Sequence, residues 1–137
     1  MPPVPLIIDT DPGADDAVAL AVALASPDAE VRAVTVTFGN VGLDKTFLNA
    51  RRLLALAERS DIPVAAGATR PLVHTQQEQA LEWHGNDGLS GCSAEFPSPV
   101  AADPRTAVDV MAEVLSTASE SITVVTIGPL TNLALLL

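Results

Sequence analysis

Short apolar runs and stretches with helix-spaced apolar positions alternate along the chain. Val4 to Ile8 is apolar and stops at an acidic turn holding Pro12 and Gly13, the pattern of a buried strand that feeds a helix. Ala17 to Ala25 follows without a polar residue and predicts a core helix apolar on every face, which periodicity alone separates only weakly from a second strand. Val31 to Phe38 is rich in β-branched residues and stops at the turn dipeptide Gly39-Asn40, so it reads as strand two. Leu43 to Glu58 sets Phe47, Leu48, Leu53, Leu54 and Leu56 among Arg51, Arg52 and Glu58, as an amphipathic helix does, and Ile62 to Ala66 supplies a third strand. From Gly67 to Pro104 periodicity is lost, and the stretch carries both histidines and the only tryptophan. Long loops of this kind are usually functional or mobile.

Thr106 to Ser116 returns to helical spacing, and Ile122 to Ile127 makes a fourth strand ending at Gly128-Pro129. The expected architecture is therefore α/β, a mainly parallel sheet flanked by helices, in one domain without repeats or an internal linker. Leu130 to Leu137 begins like a helix and ends on three leucines with neither a C-cap nor a polar finish. The chain is expected to be cut off there, with apolar surface left for a partner or further sequence to cover.

Charge narrows the ligand more than the fold. Seven basic residues against 17 acidic ones give a formal net charge of -10. Such a chain repels phosphate backbones and anionic lipid, so no nucleic acid and no membrane is expected as a partner; a cation or a neutral polar ligand suits it better. Cys92 is the only cysteine, which excludes an intramolecular disulfide and a cysteine-based zinc cluster. With no basic residue ahead of an apolar stretch at Met1-Pro2-Pro3-Val4-Pro5, and no apolar run near the ~20 residues of a membrane span, the expected location is cytoplasmic.

Asp9-Thr10-Asp11-Pro12-Gly13-Ala14-Asp15-Asp16 falls at the carboxyl end of strand one, where open α/β sheets bind ligands. A plain helix start explains part of it: Asp11 as N-cap, Pro12 at the first helical position, and Asp15 and Asp16 complementing the helix dipole at roughly 0.3–1 kcal/mol each. Four carboxylates are harder to place this way. A like-charged pair ~4 Å apart costs about 4 kcal/mol at an effective dielectric of 20, and the first basic residue in the chain is Arg32. A hard divalent cation would answer the repulsion, and all-oxygen ligands favour calcium or magnesium over zinc. Metal site and capped helix start both stand on spacing alone. An EF-hand does not: counted from Asp9, its required glycine and its final acid fall on Ala14 and Leu20. An aspartyl phosphatase of the haloacid dehalogenase type stays an enzymatic rival, since Asp9-Thr10-Asp11 has its spacing, although Gly13 stands where such enzymes carry Thr or Val.

The string Ile8-Asp9-Thr10-Asp11-Pro12-Gly13-Ala14-Asp15-Asp16-Ala17 resembles the signature of the inosine-uridine-preferring nucleoside hydrolase family. Further segments match in order: Gly39-Asn40, Ala66-Gly67 with Arg70-Pro71-Leu72, His84-Gly85-Asn86-Asp87-Gly88-Leu89, and Ile127-Gly128-Pro129-Leu130-Thr131-Asn132. The resemblance implies a Rossmann-like hydrolase fold, with residues 1–137 as the N-terminal part of a single domain. It also implies hydrolysis of the N-glycosidic bond of a ribonucleoside such as inosine or uridine, giving ribose and a free base through an oxocarbenium-like transition state. Ca2+ is the implied cofactor, holding the nucleophilic water and anchoring the ribose hydroxyls.

By position in the motifs, Asp11 is the implied general base and a calcium ligand, Asp16 a second ligand, and Ile127 a ligand through its backbone carbonyl. Asp15 and His84 are implied ribose contacts, His84 reaching the 5'-hydroxyl or the base, and Asn40 lies near the catalytic water and ribose. Asp9 either supports the loop from behind or touches the metal directly. Plainer readings remain: Asn40 as a turn residue, Ile127 as strand-end packing, His84 as a surface histidine, and Trp83 as either a base-stacking ring or a loop anchor. His74 matches no role. Family chains are longer, form homo-oligomers, and carry in their C-terminal part a further calcium-binding aspartate, ribose-holding polar groups and, in some members, a histidine that protonates the leaving base. A chain without that part is expected to need completing for turnover, or else to be an inactive fragment that binds calcium or a ribosyl ligand weakly.

Overall fold

The computed structural model describes residues 1–75 and 79–137. Its elements are β1 (Val4–Thr10), α1 (Ala14–Ala25), β2 (Ala29–Val36), α2 (Leu43–Leu56), β3 (Val64–Ala66), α3 (Leu81–His84), α4 (Ala107–Thr117), β4 (Thr123–Thr126) and α5 (Thr131–Leu136), with a 3-10 turn at Ser93–Glu95. All strand pairs are parallel, in the order β3-β2-β1-β4. The α/β expectation therefore holds among the described residues. None of their helices is long and apolar enough to cross a membrane.

Both faces of the sheet are covered, which is why its strands read as near-continuous apolar runs. On one face, Ile8, Val31, Val34 and Val36 pack with Leu20 of α1 and Ala50, Leu53 and Leu54 of α2. On the other, Ile7, Ala33 and Ala65 meet Val110 and Met111 of α4. A register shift between Leu6 and Ile7, opposite Val31 and Ala33, leaves Arg32 outside the pairing and lets Val31 and Val34 share a face.

Most boundaries shift from expectation by one to three residues, β2 running Ala29–Val36 rather than Val31 to Phe38, and two of the shifts have plain local causes. Helix α2 ends at Leu56 because Glu58 takes a positive φ of 57°, which cannot continue an α-helix. Strand β3 starts at Val64 because Pro63 has no N–H for the ladder, although Ile62 is buried. The aperiodic loop gains a helical turn at Leu81–His84. The larger correction concerns α1, which is a helix but not apolar-buried on every side: Val18 and Val22 are each 65% exposed. Only one face meets the sheet, and the alanines and valines opposite leave no periodic sign of where it ends.

Helix α4 starts where its cap places it. Asp109 N–H donates to Thr106 Oγ1 at 3.2 Å while Thr106 N–H donates back to the Asp109 carboxylate at 3.3 Å. Thr106→Ala should lower unfolding free energy by about 1 kcal/mol in urea titration, with the folded spectrum unchanged.

Candidate active site

The strand order places a crevice at one point. From β1 the chain crosses to β2 and β3 on one side, whereas β4 pairs with the opposite edge of β1, so the order reverses between β1 and β4. Open α/β sheets bind ligands outside the carboxyl ends of strands at such a reversal. Asp11 lies just past the end of β1, and Gly128 just past the end of β4.

Asp11 and Asp16 meet there around Asn40, which follows β2. Asn40 N–H donates to Asp11 Oδ2 at 2.7 Å, and Asn40 Nδ2 donates to both Asp11 O at 3.0 Å and Asp16 Oδ2 at 3.1 Å. Asp16 also receives the Thr10 hydroxyl at 2.8 Å and Gly13 N–H at 3.2 Å. The plain helix-start reading needs correcting here: the N-cap of α1 is Gly13, not Asp11, and its first helical residue is Ala14 rather than Pro12. Asp16, in the first turn, takes the capping contact instead.

Glycines make room for the Asp11 carboxylate. A Cβ on Gly39 would collide with Asp11 Oδ2, and one on Gly128 would stand 2.6 Å from Oδ1. The Ile127–Gly128 peptide therefore lies against the carboxylate, and Ile127 N–H donates to Asp9 O at 2.9 Å. Gly39→Ala should displace the Asp11 carboxylate and speed amide hydrogen exchange at Asn40, whose N–H it accepts, with helix content retained in circular dichroism.

Burial raises the pKa of Asp11 from 3.8 to about 7, against the Asn40 N–H bond that lowers it and with help from the negative charges of Asp16 and Asp15. Asp16 and Asp9 are raised as well, both chiefly by burial. Asp9 is fully buried, accepting from Thr35 Oγ1 at 2.6 Å and Asn132 Nδ2 at 2.8 Å, while its Oδ2 meets no partner. No Lys or Arg eases these carboxylates among the described residues. An oxygen-only pair of uncompensated carboxylates fits a hard divalent cation. It is not a complete cage, since no three His, Cys, Asp or Glu side chains gather to hold a metal among the described residues. Asp9 is directed into the sheet and Asp15 is exposed, so Asp11, Asp16 and the Ile127 carbonyl would leave further positions to water, substrate or other protein oxygens.

His84 comes to the same mouth from the long loop. Its Nδ1 accepts Ala14 N–H at 3.2 Å, so the ring proton sits on Nε2 in this arrangement. The 3.8 Å approach of Asp15 to Nδ1 is then a rim contact rather than an ion pair. Trp83 is 79% exposed, so within this chain it does not anchor the loop by burial.

A profile of the inosine-uridine preferring nucleoside hydrolases matches residues 6–137. The chain belongs to this family. It is 50% identical over 133 residues to the pyrimidine-specific ribonucleoside hydrolase of Salmonella schwarzengrund, covering 97% of this chain and 42% of that one. A plant nucleoside hydrolase superposes with a TM-score of 0.90 at 39% identity, covering 98% of this chain and 42% of its own. An inosine-guanosine nucleoside hydrolase gives 0.88 at 39% identity, with 98% and 41% covered. The chain thus spans about two fifths of the length of the relatives it matches.

Membership in the hydrolase family disposes of the phosphatase rival, and the geometry agrees. The nucleophile of such a phosphatase would be Asp9, whose carboxylate is buried under Thr35 and Asn132 beyond reach of a phosphate. Thr10 and Asn132 lie in segments the sequence singled out, but their contacts at this candidate site could not be read from it. Thr10 steadies Asp16, and Asn132 ties Asp9 to Val36 O and to Ala68 N–H. Gly39 and Gly128 matched family segments, yet their task of sparing space for Asp11 is visible only in three dimensions.

Proposed function

We propose that these residues form the N-terminal part of a nucleoside hydrolase domain that cleaves the N-glycosidic bond of a ribonucleoside into ribose and free base. The observation that supports this most is the convergence of two buried carboxylates, Asp11 and Asp16, on Asn40 at the sheet's switch point, with no Lys or Arg beside them among the described residues. A carboxylate fixed through one oxygen and open at the other is suited to taking a proton from water. In this reading Asp11 is the base. Asn40 N–H occupies its Oδ2, which leaves Oδ1 for the attacking water, and Thr10, Gly13 and Asn40 hold Asp16 in place. Asp15 and His84, at the rim, hold the ribose hydroxyls. Calcium, held by Asp11, Asp16 and the Ile127 carbonyl, would acidify the water and anchor the ribose. The reading carries a cytoplasmic setting and a homo-oligomeric whole protein.

Ribose release from inosine, uridine and cytidine, with and without EDTA, tests it. The whole protein containing these residues should release ribose, lose that activity in EDTA and regain it with calcium. Release by the whole protein but not by the 137-residue chain would assign the chain as a calcium- or ribosyl-binding fragment. Release by neither would overturn the proposal.

A further inference from the structure

Asn49 is an amide on α2 with no exposed surface, and it stands between the acidic turn and the loop that carries His84. Its Nδ2 donates to Asp87 O at 2.7 Å and to Pro12 O at 3.3 Å, and its Oδ1 accepts the Ser93 hydroxyl at 2.7 Å. Arg52 donates to the Ser93 hydroxyl oxygen at 2.8 Å and to its carbonyl at 2.6 Å. The loop beyond is a small rigid unit, since the Asp87 carboxylate receives N–H groups from Leu89, Gly91 and Ser93 at 2.8–2.9 Å. Ser90 N–H returns to His84 O at 2.8 Å, so whatever holds residues 87–93 also holds His84.

We infer that Asn49 is a positioning residue, the joint that locks the His84 loop to the turn following Asp11 and so sets the substrate side of the cleft. This rests on the hydrolase reading. A buried amide that served packing alone would not need both donors spent on two separate loops, one adjoining each half of the site. Gly88 confirms how tight the joint is: its φ is +84°, and a Cβ there would lie 2.8 Å from Asn49 Nδ2 and 3.2 Å from Pro12 O.

Asn49→Asp keeps the size and the Ser93 contact while removing the paired donors. Gly88→Ala strains the same joint from the loop side, its Cβ also meeting Val41 at 3.1 Å, and decides the matter if Asn49→Asp does not fold. Both should raise KM for ribose release at least about tenfold with kcat within about threefold, and should speed amide hydrogen exchange at Leu89, Gly91, Ser93 and Ala14 by about tenfold or more. Exchange at Val110, on the far face, should not change. Ser93→Ala, which spares both donors, should keep KM within about threefold. Unchanged KM with faster loop exchange, or a fall in kcat alone, would overturn the inference and leave Asn49 a merely structural residue. If the unmodified protein releases no ribose, the hydrolase reading fails separately. Exchange at Ala14, whose N–H meets His84, then decides: faster in both variants sustains the joint, and unchanged overturns it.

Discussion

In the whole protein, under the proposed hydrolase function, Asp11→Asn should lower kcat for ribose release by about a hundred- to ten-thousandfold while KM stays within a few-fold. The amide keeps the size of the carboxylate and can still accept Asn40 N–H through its oxygen, so the ground-state shape of the cleft is preserved. What disappears is the carboxylate proposed to take the proton. A rise in KM with kcat intact would remove Asp11 from the role of base and leave it only a binding contact. The same variant should melt at a higher temperature than the parent in EDTA at pH 8, because a neutral amide does not carry the cost of a buried charge. Loss of turnover and gain of stability in one substitution would mark a residue kept for chemistry at the expense of the fold.

Without divalent cation, stability should fall as pH rises from about 4 to about 7. Burial lifts the Asp11 pKa from 3.8 to about 7, so across that interval the folded chain keeps a proton that the unfolded chain releases. Raising the pH then favours unfolding, and the stabilisation present below pH 3.8 is lost once the pH passes about 7. For Asp11 the difference corresponds to roughly 4 kcal/mol, and Asp9 and Asp16 push in the same direction. Asp103, drawn down to about 2 by its Arg105 partner, gains its stability below this window and does not mask the effect. Calcium should reverse the trend, since it binds the ionised carboxylates and adds stability by mass action. Melting temperatures from pH 4 to 8 in EDTA and in millimolar calcium would show it. A melting temperature that climbs with pH in EDTA, or an identical profile with calcium, would refute the account.

Much of the molecule could be read from the order of residues. Strands at Val4–Thr10 and Ala29–Val36 are dense in branched apolar side chains because both sheet faces are covered, and period and composition record that directly. The acidic run announced a site because four carboxylates without a basic neighbour are more than a helix start requires. Side-chain exposure was less legible where residues are small and uniformly apolar. Nothing between Ala17 and Ala25 marks Val18 and Val22 as exposed, and only the packing of α1 on one sheet face does so.

The sequence by itself determined the alternation of strands and helices, the acidic turn at the end of β1 and the motifs of a nucleoside hydrolase, because these depend on local pattern. Only the tertiary structure decided how each of the four aspartates is held. Asp9 is turned into the sheet under Asn132, Asp15 is exposed, and Asp11 and Asp16 converge on Asn40. It also decided that Asn49 joins two loops distant in the chain. Side-chain direction at a strand end, and the contacts that hold a long loop, depend on groups dozens of residues away, and no local pattern carries that information.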